Sequence, residues 1–207
     1  FEPASTPRLR CELHNAITHF AHSTFECDMT DPHSIELVHF GSKRWANYFK
    51  VVLLGLQSVL PPEVRQNAHG TIKVLVDGTV PPESSLSSSA AMTTCSSIVI
   101  LTALKALHVV PRKVIADVAC HSERLVGVHS GGMDQAVSVF GQRDKALFVS
   151  FAPTLHVSPI ELPLGHQYVF LVTNTMIKSD KKATAPERYN LRVVETRLAA
   201  AVPVSYT

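Results

Sequence analysis

Three stretches of this sequence carry residues able to do chemistry. Pro81 to Ser97 reads P-P-E-S-S-L-S-S-S-A-A-M-T-T-C-S-S. Serine is a good helix N-cap because its hydroxyl accepts from first-turn amides, and small side chains let an outside group come close. Free N–H groups and the positive end of the helix dipole make such a start a seat for phosphate. Ser130-Gly-Gly-Met-Asp-Gln135 is the second stretch. Its glycines bare the backbone for a ligand, and Asp134 would project from a short helix to orient a hydroxyl and take its proton. The third is Trp45, the only tryptophan, beside Lys43 and Arg44; an indole face can stack on a base. Each also has a plainer reading. A serine-rich run can be only a helix start, Gly131-Gly132 a turn that Asp134 caps, and Trp45 a core or edge anchor.

These residues need elements to hold them. Thr71 to Asp77 alternates with Ile72, Val74 and Val76 on one side, so a strand is predicted before the serine stretch. The serine stretch then opens a helix, residues 87–90 forming its first turn and apolar residues continuing to Leu107. A helix from Lys43 to about Leu60 puts Tyr48, Val52, Leu56 and Val59 on one face and stops before Pro61-Pro62. Pro111 opens another helix, with Val114, Ile115, Val118 and Leu125 at helical spacing and Gly127 as its C-terminal cap. A short helix carries Met133, Val137 and Phe140. Strands are predicted at 24–29, 34–40, 146–151, 155–161 and 168–174, with a turn at 30–33. Polar residues 175–185 hold Lys178, Lys181 and Lys182, and a helix from Pro186 aligns Leu191, Val194 and Leu198. The pattern predicts an α/β two-layer domain: a mixed sheet of about five or more strands, with the serine-rich and 112–126 helices on one face.

Composition narrows the function classes. The chain has 207 residues, 45% hydrophobic and 17% charged, which fits a globular domain with a sizeable core. Its net charge of +2, with no basic stripe interleaved with aromatics, argues against a nucleic-acid binder. No run is long enough to span a membrane and no signal pattern opens the chain; it starts on Phe1, so a start is expected to be missing. Cys11, Cys27, Cys95 and Cys120 form no C-x-x-C pair and read as reduced thiols of a cytoplasmic protein, Cys95 and Cys120 being small core residues on helices. His14, His19 and His22 offer no convincing metal set by spacing. Residues 1–33 hold the least pattern, and 1–7 read as loose.

Leu86-Ser-Ser-Ser-Ala-Ala91 resembles the core of the phosphate-binding loop of the GHMP small-molecule kinases, galactokinases above all. Glu83 and Ser85 stand where the family usually has glycines. A carboxylate there would repel a triphosphate, and a Cβ is expected to push the loop away from glycine-type backbone. R-W-x-N-Y around Trp45, G-G-M-D-Q around Asp134 and A-P-E-R-Y around Tyr189 are similar to galactokinase segments in the same order. The resemblance implies the N-terminal GHMP domain, of the ribosomal protein S5 domain 2-like type and truncated, as a single domain over 1–207. From about residue 186 the first helix would lead toward a missing C-terminal domain. It implies ATP and Mg²⁺, with Trp45 against adenine, Ser85, Leu86, Ser87, Ser88, Ser89 and Ala90 around phosphate, and the Ser89 hydroxyl reaching Mg²⁺. Asp134 would be the catalytic carboxylate and would contact the sugar together with Gly131 and Tyr189. Trp45, Ser89 and Asp134 are then expected to converge on one cleft.

The family segment R-x-N-L-x-G-E-H-x-D-Y and the late glycine-rich segment are not in the sequence. Four readings follow. One is a galactokinase-type enzyme phosphorylating galactose at its anomeric hydroxyl, impaired or partial. A second is a non-catalytic sensor of galactose and ATP that engages a protein partner to regulate transcription. An N-acetylgalactosamine kinase is a third, and a chain without ligand the fourth. Neither nucleic acid nor membrane is an expected partner.

Overall fold

The computed structural model describes residues 8–82, 84–161, 171–173, 187 and 189–202. Strand β1 (Leu9–Asn15) turns Leu9, Cys11 and Leu13 into the core and leaves Arg10 and His14 exposed. It pairs antiparallel with β2 (Ser23–Cys27), Leu13 opposite Ser23. On its other edge it pairs in parallel with β3 (Gly70–Val76), Leu9 opposite Gly70. A parallel pair needs a long crossover. Helices α1 (Asn47–Gln57) and α2 (Pro62–Gln66) lie within it.

The sheet order is β2-β1-β3. Helices α1, α3 (Ser88–Ala103) and α4 (Arg112–Arg124) pack together. Phe49, Val52, Leu53 and Leu56 of α1, Ile100 and Leu101 of α3, and Ile115 and Val118 of α4 share one core with Leu9, Leu13 and Ile72. Helix α5 (Met133–Phe140) packs on α3 and α4. Strands β4 (Lys145–Ser150) and β5 (His156–Glu161) form a separate antiparallel pair, and α6 (Asn190–Ala201) follows. The expected α/β class holds, and so do the strand before the serine stretch and all the main helices.

Several details differ. In place of one mixed sheet of five strands, the described residues form a three-stranded sheet and a hairpin. β1 escaped the sequence reading because its outward residues are charged or histidine and its inward ones include a cysteine. Residues 34–40 form no strand. Pro32–Ser34 is a 3-10 turn, and the extended backbone after it is met by side chains. Asn47 accepts from the Val38 amide at 2.9 Å and donates to its carbonyl at 2.7 Å. Lys50 donates to the Glu36 carbonyl at 2.7 Å, and burial pushes its ammonium pKa down.

Of 168–174 only 171–173 are described, and they carry no strand; 175–185 and Pro186 lie outside the described residues. Met133 and Val137 are exposed while Gln135, Ala136 and Val139 form the buried face of α5. Leu125 is exposed too, as is the Leu191, Val194 and Leu198 row of α6. Cys120 is buried as expected, but Cys95 is exposed.

Candidate active site

The serine loop leads from β3 into α3. Ser85 and Ser87 both adopt left-handed backbone, with φ of +59° and +57°. Ser85 thus takes the conformation a glycine would favour despite its Cβ, contrary to the expected displacement; Glu83 lies outside the described residues. Ser87 is the N-cap residue of α3, yet its hydroxyl makes no cap hydrogen bond. A capping side chain works from extended backbone, and left-handed backbone aims it elsewhere. The first-turn amides of Ser88, Ser89 and Ala90 therefore get no acceptor from Ser87. Ser88 and Ser89 are half-exposed, Ala90 is buried and Leu86 stands out in solvent. Farther along, the buried side of α3 is made of small hydroxyl residues, Thr93, Thr94, Ser96 and Ser97. Ser97 returns its hydroxyl to the Thr93 carbonyl at 2.9 Å.

The glycine loop is built otherwise. Gly127 caps the end of α4 with φ of +90°, its amide donating to the Arg124 carbonyl at 3.0 Å. Gly132, the N-cap of α5, has φ of +88° and lies so close to α4 that a Cβ there would sit 2.9 Å from the Cys120 sulfur. Between them runs Ser130, and below them lies Glu123 of α4, only 2% exposed. Its carboxylate accepts from the Ser130 hydroxyl at 2.8 Å and from Gln135 Nε2 at 2.6 Å. Both flanks of the Gly131-Gly132 turn are thereby tied to one buried anion. Asn190 of α6 binds the far side, accepting from the His129 amide and donating to the Gly127 carbonyl, each at 3.2 Å.

Asp134 sits half-buried in the first turn of α5, where the helix dipole favours a carboxylate. Tyr189, just before α6, is brought to it. Burial first, then the charges of Glu123 and Asp134, hold the Tyr189 phenol above its ordinary pKa. Asp134, Glu123 and Tyr189 thus share one neighbourhood, and α5 packs against the serine-rich α3. Gly131, Gly132, Cys120, His121 and Arg124 border a hollow of about 230 Å³ that Phe151 and Leu155 also line.

Trp45 sits in the 3-10 turn Arg44–Ala46 ahead of α1. It belongs to the core at 7% exposure. Its indole N–H donates to the Ala21 carbonyl at 2.8 Å, and Phe20 tilts against its ring. Stacking on a base needs an open ring face. Here that would require the loop carrying Phe20 and Ala21 to move.

Residues 47–142, which contain both loops, match the model of the GHMP kinases N terminal domain. The chain carries a GHMP kinase N-terminal domain. It is also homologous to named galactokinases. It is 35% identical to that of Schizosaccharomyces pombe over 164 residues, which are 75% of this chain and 31% of that protein. The Candida albicans galactokinase is 39% identical over 77% of the chain, and that of Saccharomyces cerevisiae 37% over 76%, again covering 31% of each relative. The chain thus spans about a third of the length of these relatives.

Sequence reasoning singled out Gly131, Asp134 and Tyr189 and gave no role to Glu123, Ser130, Gln135 or Asn190. A signal for Glu123 existed. It falls on the same helical face as Ile115, Ala116, Val118 and Ala119, where periodicity calls for an apolar residue. A carboxylate in that place needs donors, and the nearby serine and glutamine supply them.

Proposed function

We propose that the chain is part of a galactokinase-type enzyme that moves the γ-phosphoryl of ATP to the anomeric hydroxyl of galactose. The observation that carries this reading is the gathering of Asp134, Tyr189 and Glu123 beside the Gly131-Gly132 turn, in a GHMP domain homologous to galactokinases. Asp134 orients the hydroxyl and accepts its proton late, because phosphoryl transfer depends on positioning and charge stabilisation. Gly131 and Tyr189 contact the sugar. The amides of Ser88, Ser89 and Ala90 hold phosphate oxygens at the start of α3, with Ser85, Leu86 and Ser87 shaping the approach. Trp45 meets adenine once its covering loop moves aside.

The oxygen donors present fit Mg²⁺, which uses one or two carboxylates together with substrate phosphates. Asp134 supplies a carboxylate and Ser89 a hydroxyl, and buried Gln135 Oε1 has no partner among the described residues. Bound there, the ion would neutralise charge on the phosphates. A cytoplasmic protein, a single domain over 1–207 and a continuation from α6 toward a second domain belong to the same reading. Among the described residues no helix is long and apolar enough to cross a membrane.

An isotope-labelled ATP assay with galactose, with N-acetylgalactosamine and without sugar tests the proposal, paired with calorimetric binding. Galactose-dependent transfer that disappears in Asp134→Asn is the expected result. Binding of both ligands without transfer would favour the sensor, and neither binding nor transfer would refute both.

A further inference from the structure

The sheet carries a pair of histidines that phosphoryl transfer does not use. His14 is the last but one residue of β1 and His22 directly precedes β2, so the register that pairs Leu13 with Ser23 sets the two histidines opposite each other. Both are exposed, and their rings stack with centroids 4.5 Å apart and planes 27° apart. Directly opposite residues of an antiparallel pair have Cβ atoms about 4.5–5.5 Å apart, close enough for the His14 ring to turn out of the stack and direct a nitrogen at an ion held by His22. His22 Nε2 is already engaged by the Thr24 hydroxyl at 2.8 Å, which leaves Nδ1 for a ligand. Metal-bound imidazoles are usually held in this way through their other nitrogen.

The surroundings do not repel a cation. His14 pairs in register with Leu75 of β3. Glu12, two residues along β1, pairs with Arg10 at 3.0 Å and with Lys73 at 3.7 Å, so those two cations face a carboxylate. His19 lies edge-on to Phe20 instead of joining the pair. No group of three or more histidine, cysteine or acidic residues able to hold a metal exists among the described residues, so any ion here has two protein ligands and completes its shell with water.

We propose that His14 and His22 form a two-imidazole site for a divalent transition ion of the copper, nickel or zinc kind, the ions that imidazole suits. The pair stands at the base of the loop between β1 and β2, the loop whose Phe20 and Ala21 cover Trp45. An ion there ties the two strands together at the loop's exit and holds the cover over the indole.

Cu²⁺ titrated into the full chain, by calorimetry and electron paramagnetic resonance, is the test. The expected result is one site with two nitrogen ligands. His14→Ala and His22→Ala should each weaken it by more than about tenfold, since even the hydrogen-bond partners of metal ligands are worth that much. His19→Ala should leave it unchanged. All three residues are exposed, so the variants keep their fold, and His14→Gln should behave as His14→Ala. A one-nitrogen signal, unchanged affinity in either His14→Ala or His22→Ala, or loss in His19→Ala would overturn the proposal.

Discussion

The serine loop and the glycine loop do the same geometric job by opposite means. Each feeds a helix through an N-cap residue in left-handed backbone, Ser87 before α3 and Gly132 before α5. At Gly132 the conformation comes naturally and the loop is lashed down by Glu123, Ser130, Gln135 and Asn190. At Ser85 and Ser87 the conformation works against a Cβ, and Ser87 leaves the helix start uncapped. The comparison teaches that the protein itself shapes the acidic side of the site. The serine side leaves its first-turn amides without an acceptor from Ser87.

The largest effect should come from cutting the lashing. Glu123→Ala orphans the Ser130 hydroxyl and the Gln135 amide in a buried place, at a cost of about 3 kcal/mol. Urea denaturation should show the midpoint fall, and an unchanged midpoint would mean that the glycine loop holds itself. Gly132→Ala comes next. It forces a Cβ into left-handed backbone and against the Cys120 sulfur, which should cost about 2 kcal/mol. Loss well below that would erase the contrast with the serine loop.

Smaller, and opposite in sign, is the effect at the serine loop. Left-handed backbone costs a non-glycine residue about 1–2 kcal/mol, partly offset by the extra freedom glycine has when unfolded. Ser85→Gly and Ser87→Gly should therefore each raise the unfolding midpoint slightly. A drop for either would mean that its hydroxyl is engaged in the folded loop.

The finest test reads charge. Tyr189 keeps its proton longer folded than unfolded, because burial and then Glu123 and Asp134 disfavour phenolate. Between the ordinary value near 10 and the higher folded value, the folded state binds more protons, so stability present below pH 10 falls as pH rises. The ultraviolet phenolate signal, taken as the difference from Tyr189→Phe, should titrate above 10 and move down in Asp134→Asn. No movement would separate Asp134 from Tyr189.

Much of this was legible beforehand, for reasons that can be named. The runs around Ser88 and Met133 announce helix starts because glycine, proline and serine punctuate them, and β3 alternates plainly. The orientation of short helices was less readable. Met133 and Val137 suggested an apolar face for α5, but Gln135 turned inward because buried Glu123 offered it a hydrogen bond worth more than exposure. β1 was hidden by charges on its outer face, and 34–40 mimicked a strand while being held by Asn47 and Lys50. Tyr189 was assigned from family likeness; the charges of Glu123 and Asp134 reach it from 66 and 55 residues away in the chain, beyond the reach of local pattern.

The place of β1 in the sheet also has a consequence in time. It is the central strand, flanked by β2 and β3, yet it leaves the ribosome well before the partner on its parallel edge. At about 5–20 residues per second, several seconds of synthesis separate β1 from β3. Through that interval the β1–β2 hairpin is on its own, and an isolated hairpin is marginal in water. One full edge of β1, with Leu9, Cys11 and Leu13 not yet covered, stays open to any strand that arrives first. Slower decoding between residues 28 and 69 would lengthen the exposure and a holding chaperone would shorten its effects, so the yield of folded chain should follow translation speed across that crossover.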